Sequence, residues 1–103
     1  MFHVENNENR NEKVLQRGCM EKEIACCAYF YNGEITPLFF KMQDDTGEIQ
    51  TYHIKHIKYG EYKKYKGQRI IDFICRIKAN GIAITVNIVH YIDSCKWSIV
   101  LKT

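Results

Sequence analysis

Six cations and three tyrosines crowd one short part of this chain. Between His53 and Arg69 stand Lys55, Lys58, Lys63, Lys64, Lys66 and Arg69 against Glu61 alone, a net +5 with histidine neutral. Tyr59, Tyr62 and Tyr65 interleave with them and Tyr52 comes just before. The whole chain carries +3, so the rest of the sequence sums to −2 and the positive surplus belongs to this segment. Lysines that track phosphates beside rings that stack bases are how small barrels hold single-stranded nucleic acid. Lys55, Lys58, Tyr59, Tyr62, Lys63, Lys64, Tyr65, Lys66 and Arg69 therefore form a candidate polyanion-binding set. The competing reading is a solvated crossover loop between Gly60 and Gly67, with its lysines in water and its tyrosines lidding one end of the domain. The sequence pI of 8.6 lies below the value above about 9 that marks a nucleic-acid-binding domain.

Other reactive residue types are present without the spacing that chemistry needs. His53-x-x-His56, His90 and Cys95 are acceptable Zn²⁺ ligands, but strand positions three apart face opposite sides, so only a bulge could bring the first two together. The expectation is exposed, non-ligand histidines and no metal. Cys95, His90 and Asp93 resemble a nucleophile, base and orienter. They span a tight turn, however, with no helix N-terminus to lower the thiol's pKa. Asp44-Asp45 reads as a turn pair and Asp72 as a lone carboxylate on an exposed strand face. The six glycines fall singly in turns or loops, so no phosphate cradle is formed. No catalytic residue and no cofactor is assigned, and an enzyme is the least favoured class.

A chain of 103 residues has room for one domain, and a domain of about 80 residues buries only roughly 60 to 65% of its unfolded surface. The core must be dense, and an apolar content of 46% can supply it. No run approaches the roughly 18 apolar residues of a membrane span, and the opening MFHVENNENRNEK lacks the basic flank and apolar stretch of a secretory signal. Cys19, Cys26, Cys27, Cys75 and Cys95 are odd in number and include no C-x-x-C pair. They read as reduced small hydrophobes of a cytoplasmic protein.

The elements that would position these residues are strands. Short apolar runs recur about every ten residues, separated by Asn32-Gly33, Asp44-Asp45-Thr46-Gly47, the Gly60 to Gly67 stretch, Asn80-Gly81 and Asp93-Ser94. The strands read as 24–31, 34–42, 48–57, 69–78, 82–90 and 96–102. Ile35 is out of phase with Leu38, Phe40 and Met42, which predicts a bulge or an edge at Pro37. Ile57 is out of phase with Tyr52 and Ile54, which predicts a second bulge near Lys55 and His56. The fold class is all-β: one small antiparallel barrel or strongly curled sheet of five to six strands, of SH3-like or OB-like size. Residues 23–103 form this domain, and residues 1–22 form a polar N-terminal tail or a short helix from about Asn9, with Gly18 past its end and Val14 and Leu15 laid on the barrel. The periodic pattern begins just after Met20, as it would if Met20 were the natural start. Phe30, Phe40, Ile54, Phe73, Ile84, Val86 and Trp97 are the expected core.

The run Ile35-Thr36-Pro37-Leu38-Phe39-Phe40, followed by Tyr52-His53-Ile54 and Trp97-Ser98-Ile99-Val100, resembles a group of short Firmicutes proteins of unknown function. The likeness covers residues 24–101. It implies a small all-β bacterial protein and transfers no functional residue. The favoured function is a non-catalytic binding or adaptor module. It would contact another protein, or self-associate, along an open strand edge or through the exposed aromatics Tyr29, Tyr31 and Phe39. The alternative is single-stranded nucleic-acid or polyanion binding through the 53–69 segment. No membrane partner is expected.

Overall fold

Alternating apolar and polar residues form strands because successive side chains point to opposite faces, and one face must be buried. In the computed structural model, which describes residues 19–102, six such strands follow one another. They are β1 (Cys19–Tyr31), β2 (Glu34–Gln43), β3 (Ile49–Tyr65), β4 (Gln68–Ala79), β5 (Ile82–Tyr91) and β6 (Lys96–Lys102). Each pairs antiparallel with the next, and β6 returns to β1 to close a barrel. The two longest strands make closure possible by serving two neighbours each. β1 pairs with β6 over Cys19 to Ile24 and with β2 over Ala25 to Tyr31. β3 pairs with β2 from Ile49 to His53 and with β4 from Ile54 to Tyr65.

Three connections are two-residue turns with both residues at positive φ: Asn32-Gly33, Lys66-Gly67 and Asn80-Gly81. That geometry matches the right-handed twist of flanking strands and so favours tight hairpins. Asp44 organises the longer β2–β3 connection. Its Oδ1 accepts hydrogen bonds from Thr46 N (2.9 Å), Thr46 Oγ1 (2.7 Å) and Glu48 N (3.0 Å), and its Oδ2 accepts from Gln50 Nε2 (2.9 Å). These donors hold its pKa down to about 2, the Thr46 hydroxyl contributing most.

Both predicted bulges are present. The β1–β2 register shifts between Cys27 and Ala28, opposite Phe39 and Pro37, and Leu38 is the extra residue. That shift restores Ile35 to the side packed on the core. The β3–β4 register shifts at Lys55 and again at Lys58.

The segment expected to be a crossover loop is instead strand. Gly60 is not a loop boundary but lies inside β3, where a Cβ would meet the Phe73 ring at 2.9 Å. A glycine in a strand can mark a close approach of this kind, and here the Phe73 ring takes the space a side chain would fill. The strand limits move outward elsewhere too. β1 begins at Cys19, so residues 19–22 belong to the barrel wall and not to the tail, while the helix expected from about Asn9 lies outside the described residues.

Ile24, Phe40, Ile71, Phe73, Cys75, Ile77, Val86, Ile88, Trp97 and Ile99 form the buried core. Phe73 and Trp97 lie nearly parallel at 6.2 Å between centroids, and each such ring contributes roughly 1.5–3 kcal/mol or more of burial free energy. Ile54 packs against the cluster from its edge. Two expected core residues fail: Phe30 is 74% exposed and Ile84 37% exposed. Both are on the inward side of their strands but stand beyond the ends of the enclosed interior, where no opposite wall faces them. The outward side of β4 to β6 is shielded as well, with Ile70, Asp72, Val89 and Ser98 buried.

Candidate functional site

Placing the basic segment on a strand divides its residues between two faces. Tyr59, Glu61, Lys63 and Tyr65 sit opposite Ile74, Asp72, Ile70 and Gln68 of β4, while Tyr62 and Lys64 alternate onto the other side opposite Ile71 and Arg69. The set therefore does not form one continuous surface.

Half of its cations are paired with acids of the barrel. Lys63 Nζ is 3.7 Å from Asp72 Oδ2. Lys66 Nζ is 3.7 Å from Glu21 Oε1 and lies over the Tyr65 ring at 5.0 Å. Arg69 donates from Nη2 to Asp93 Oδ1 at 2.5 Å, and both side chains are exposed. The Tyr91 hydroxyl donates to Glu21 as well.

Asp72 is the most consequential of these acids, and it is not on an exposed face as expected. It is buried, accepts a hydrogen bond from Asn87 Nδ2 at 2.9 Å, and faces Glu61 across the ladder. Burial pushes its pKa up, with Asn87 and Lys63 opposing that shift. Lys55, Lys58 and Lys64 make no ion pair among the described residues. Lys55 and Lys58 are the extra residues of the two bulges, on a stretch of β3 whose other edge has left β2. Lysines and bulges on an open edge are the usual means of blocking edge-to-edge pairing. Tyr62, 69% exposed, is the ring of this set most open to a ligand.

The most exposed aromatic surface lies elsewhere. At the β1–β2 hairpin, Phe30 is 74% and Tyr31 72% exposed, Tyr29 is also exposed, and Leu38 stands out at the bulge. Beyond Ile24 the strand β1 has left β6, and before Phe39 the strand β2 has not yet met β3. This end is therefore a two-stranded arm whose base is still part of the core, with Pro37 fully buried and Ala28 and Ile35 packed on the cluster, and whose tip from Tyr29 to Tyr31 is exposed. Glu34 is the only charged residue between Ala28 and Phe40. Phe39, expected among the exposed aromatics, is half-buried against His53 at 5.4 Å between ring centroids. Sequence reasoning found Tyr29 and Tyr31 but placed Phe30 in the core, because alternation reports which side a residue faces and not where the opposite wall ends. The Asn32-Gly33 turn two residues later was the available signal.

The remaining candidates are dispersed. The bulge at Lys55 leaves His53 and His56 both exposed, whereas His90 is inside the barrel, 4.4 Å from Trp97 between ring centroids. Cys95 is in the β5–β6 turn with positive φ. Among the described residues no three His, Cys, Asp or Glu side chains are placed to hold a metal ion. Asp93 pairs with Arg69, not with His90 or Cys95. Burial pushes the Cys26 and Cys75 thiols up to about 12, so neither supplies thiolate near neutral pH. No helix among the described residues is long and apolar enough to cross a membrane. No protein-family model, no curated protein and no solved structure matches this chain.

Proposed function

We propose that the protein is a non-catalytic interaction module that inserts the β1–β2 arm into an apolar groove of another protein. The observation that carries this reading is the exposure of Phe30 and Tyr31 beside the tight Asn32-Gly33 turn. Aromatic residues lose few rotamers on docking and bury large areas, which is why they dominate binding hot spots. Phe30 stands on the inward side of β1 and Tyr29 and Tyr31 on the outward side, so both faces of the tip expose rings, and exposed apolar surface of this kind marks contact sites. Charge favours a protein partner over nucleic acid here, because a stacked single strand needs cations beside the rings and Glu34 is the only charge on the arm. Single-stranded nucleic-acid or polyanion binding at Tyr62 and Lys64, with Lys55 and Lys58, is the second reading, supported by the exposure of Tyr62.

Photo-crosslinking separates the two. With p-benzoylphenylalanine at position 30, the expected result is one discrete protein adduct that resists nuclease and high salt, with none from position 48. No adduct at position 30 beyond that control overturns the proposal. Saturable binding of a single-stranded oligonucleotide at low salt that weakens steeply as salt rises would favour the second reading.

A further inference from the structure

β5 presents an edge of a different kind from β3. It pairs with β4 in unbroken register from Ile82 to Tyr91, but with β6 only from Asn87 to Tyr91. Among the described residues the edge from Ile82 to Val86 is therefore unpaired. From Ile82 to Val89 the sequence Ile-Ala-Ile-Thr-Val-Asn-Ile-Val contains no charge, proline or glycine. Along its inward side the core row thins from Ile88 and Val86, both buried, to Ile84 at 37% exposure and Ile82 at 64%. Open backbone groups on a regular, uncharged, apolar strand are a template for another strand.

We infer that this edge pairs antiparallel with the same edge of a second copy of the chain, about a two-fold axis at Ile84. A two-fold there sets Ile84 against Ile84, Ile82 against Val86 and Ala83 against Thr85, so the exposed end of each core row covers the other. The match is self-complementary, as an isologous interface must be. On β4, the strand behind this edge, the cations are Arg76 and Lys78, opposite Thr85 and Ala83. Across the junction they stand three strand spacings from their copies, about 14 Å, which exceeds the roughly 8 Å screening length at physiological ionic strength. Repulsion is small. The β3 edge, guarded by Lys55, Lys58 and two bulges, lacks this complementarity.

Five residue pairs bury less than the roughly 1,200 Å² of a standard stable interface, so the dimer dissociates on dilution. Sedimentation velocity over a dilution series tests it. Wild type should shift from dimer to monomer as concentration falls. Ile84→Lys places like charges opposite each other and should weaken association about tenfold or more with an unchanged circular dichroism spectrum. Thr85→Lys, on the outward side opposite Ala83 of the second copy, sets the two lysines diagonally across the junction and should weaken association by less, without touching the core row, and Phe30→Ser should leave the dimer intact. A wild-type monomer at every concentration, a dimer indifferent to both lysines, or one abolished by Phe30→Ser overturns the inference. The last control keeps this edge distinct from the aromatic arm.

Discussion

The β1–β2 and β3–β4 hairpins are built from the same materials, tyrosines on long strands joined by a two-residue turn, yet they use them in opposite ways. The β3–β4 hairpin is the charged one. It ties Lys63, Lys66 and Arg69 to Asp72, Glu21 and Asp93, and Phe73 of β4 packs over Gly60 of β3. The β1–β2 hairpin has Glu34 as its only charge between Ala28 and Phe40, and there it holds Phe30 and Tyr31 in solvent. A concentration of charge thus marks the hairpin whose side chains are half engaged with the barrel. The quieter sequence marks the one whose tip exposes its rings.

The widest contrast is between two phenylalanines on the inward sides of their strands. Phe73→Ala should cost about 3–5 kcal/mol, whereas Phe30→Ala should stay within about 0.5 kcal/mol of wild type, both read by urea denaturation. Equal losses would mean that the arm folds into the core. Gly60→Ala comes next. Its Cβ would meet the Phe73 ring at 2.9 Å, and overpacking of this kind costs about 1–3 kcal/mol, so an unchanged melting temperature would show that the ring is not fixed over the glycine. Asn87→Ala removes a hydrogen bond from the buried Asp72 carboxylate and should cost about 1–3 kcal/mol. Arg69→Ala, at an exposed pair, should leave the melting temperature where it is.

How much of this was legible in the sequence depended on range. Asn32-Gly33 and Asn80-Gly81 declared their turns, and the phase slips at Ile35 and Ile57 declared bulges, because these features are local. Lys66-Gly67 was obscured, since lysine seldom takes positive φ and the basic stretch around it has the composition of a loop. Gly60 was misread because its partner, Phe73, is distant in sequence. Asp72 looked exposed for the same reason, its neighbours Asn87 and Lys63 lying on two other strands. The arm was half visible: a Tyr-Phe-Tyr run before a turn names the residues, while the point at which β1 parts from β6 is set by register alone.

A smaller effect comes from His90, buried against Trp97 with Nδ1 unpartnered. Burial lowers its pKa, with the Lys96 backbone opposing. The unfolded chain then binds the proton more readily, so this contribution is intact above the unfolded value near 6.5 and is lost as pH falls through and below it. His90→Gln should flatten the fall in melting temperature between neutral and mildly acidic pH. An unchanged slope would place the dependence elsewhere. Smaller still is the Asp44 turn, whose carboxylate has a folded pKa of about 2. Its stabilisation is present above the unfolded value near 3.9 and disappears as pH falls toward 2, so Asp44→Asn should act only above that range.

The central claim is that binding belongs to the β1–β2 arm and not to the basic strand, and competition tests it most directly. Protein carrying the photo-crosslinker at position 30 forms its adduct in the presence of excess unlabelled competitor. Lys55→Gln/Lys58→Gln/Lys64→Gln should suppress the adduct as well as wild type does, and Phe30→Ser/Tyr31→Ser should not. The reverse pattern, with the glutamine variant unable to compete and the serine variant fully able, would contradict the account.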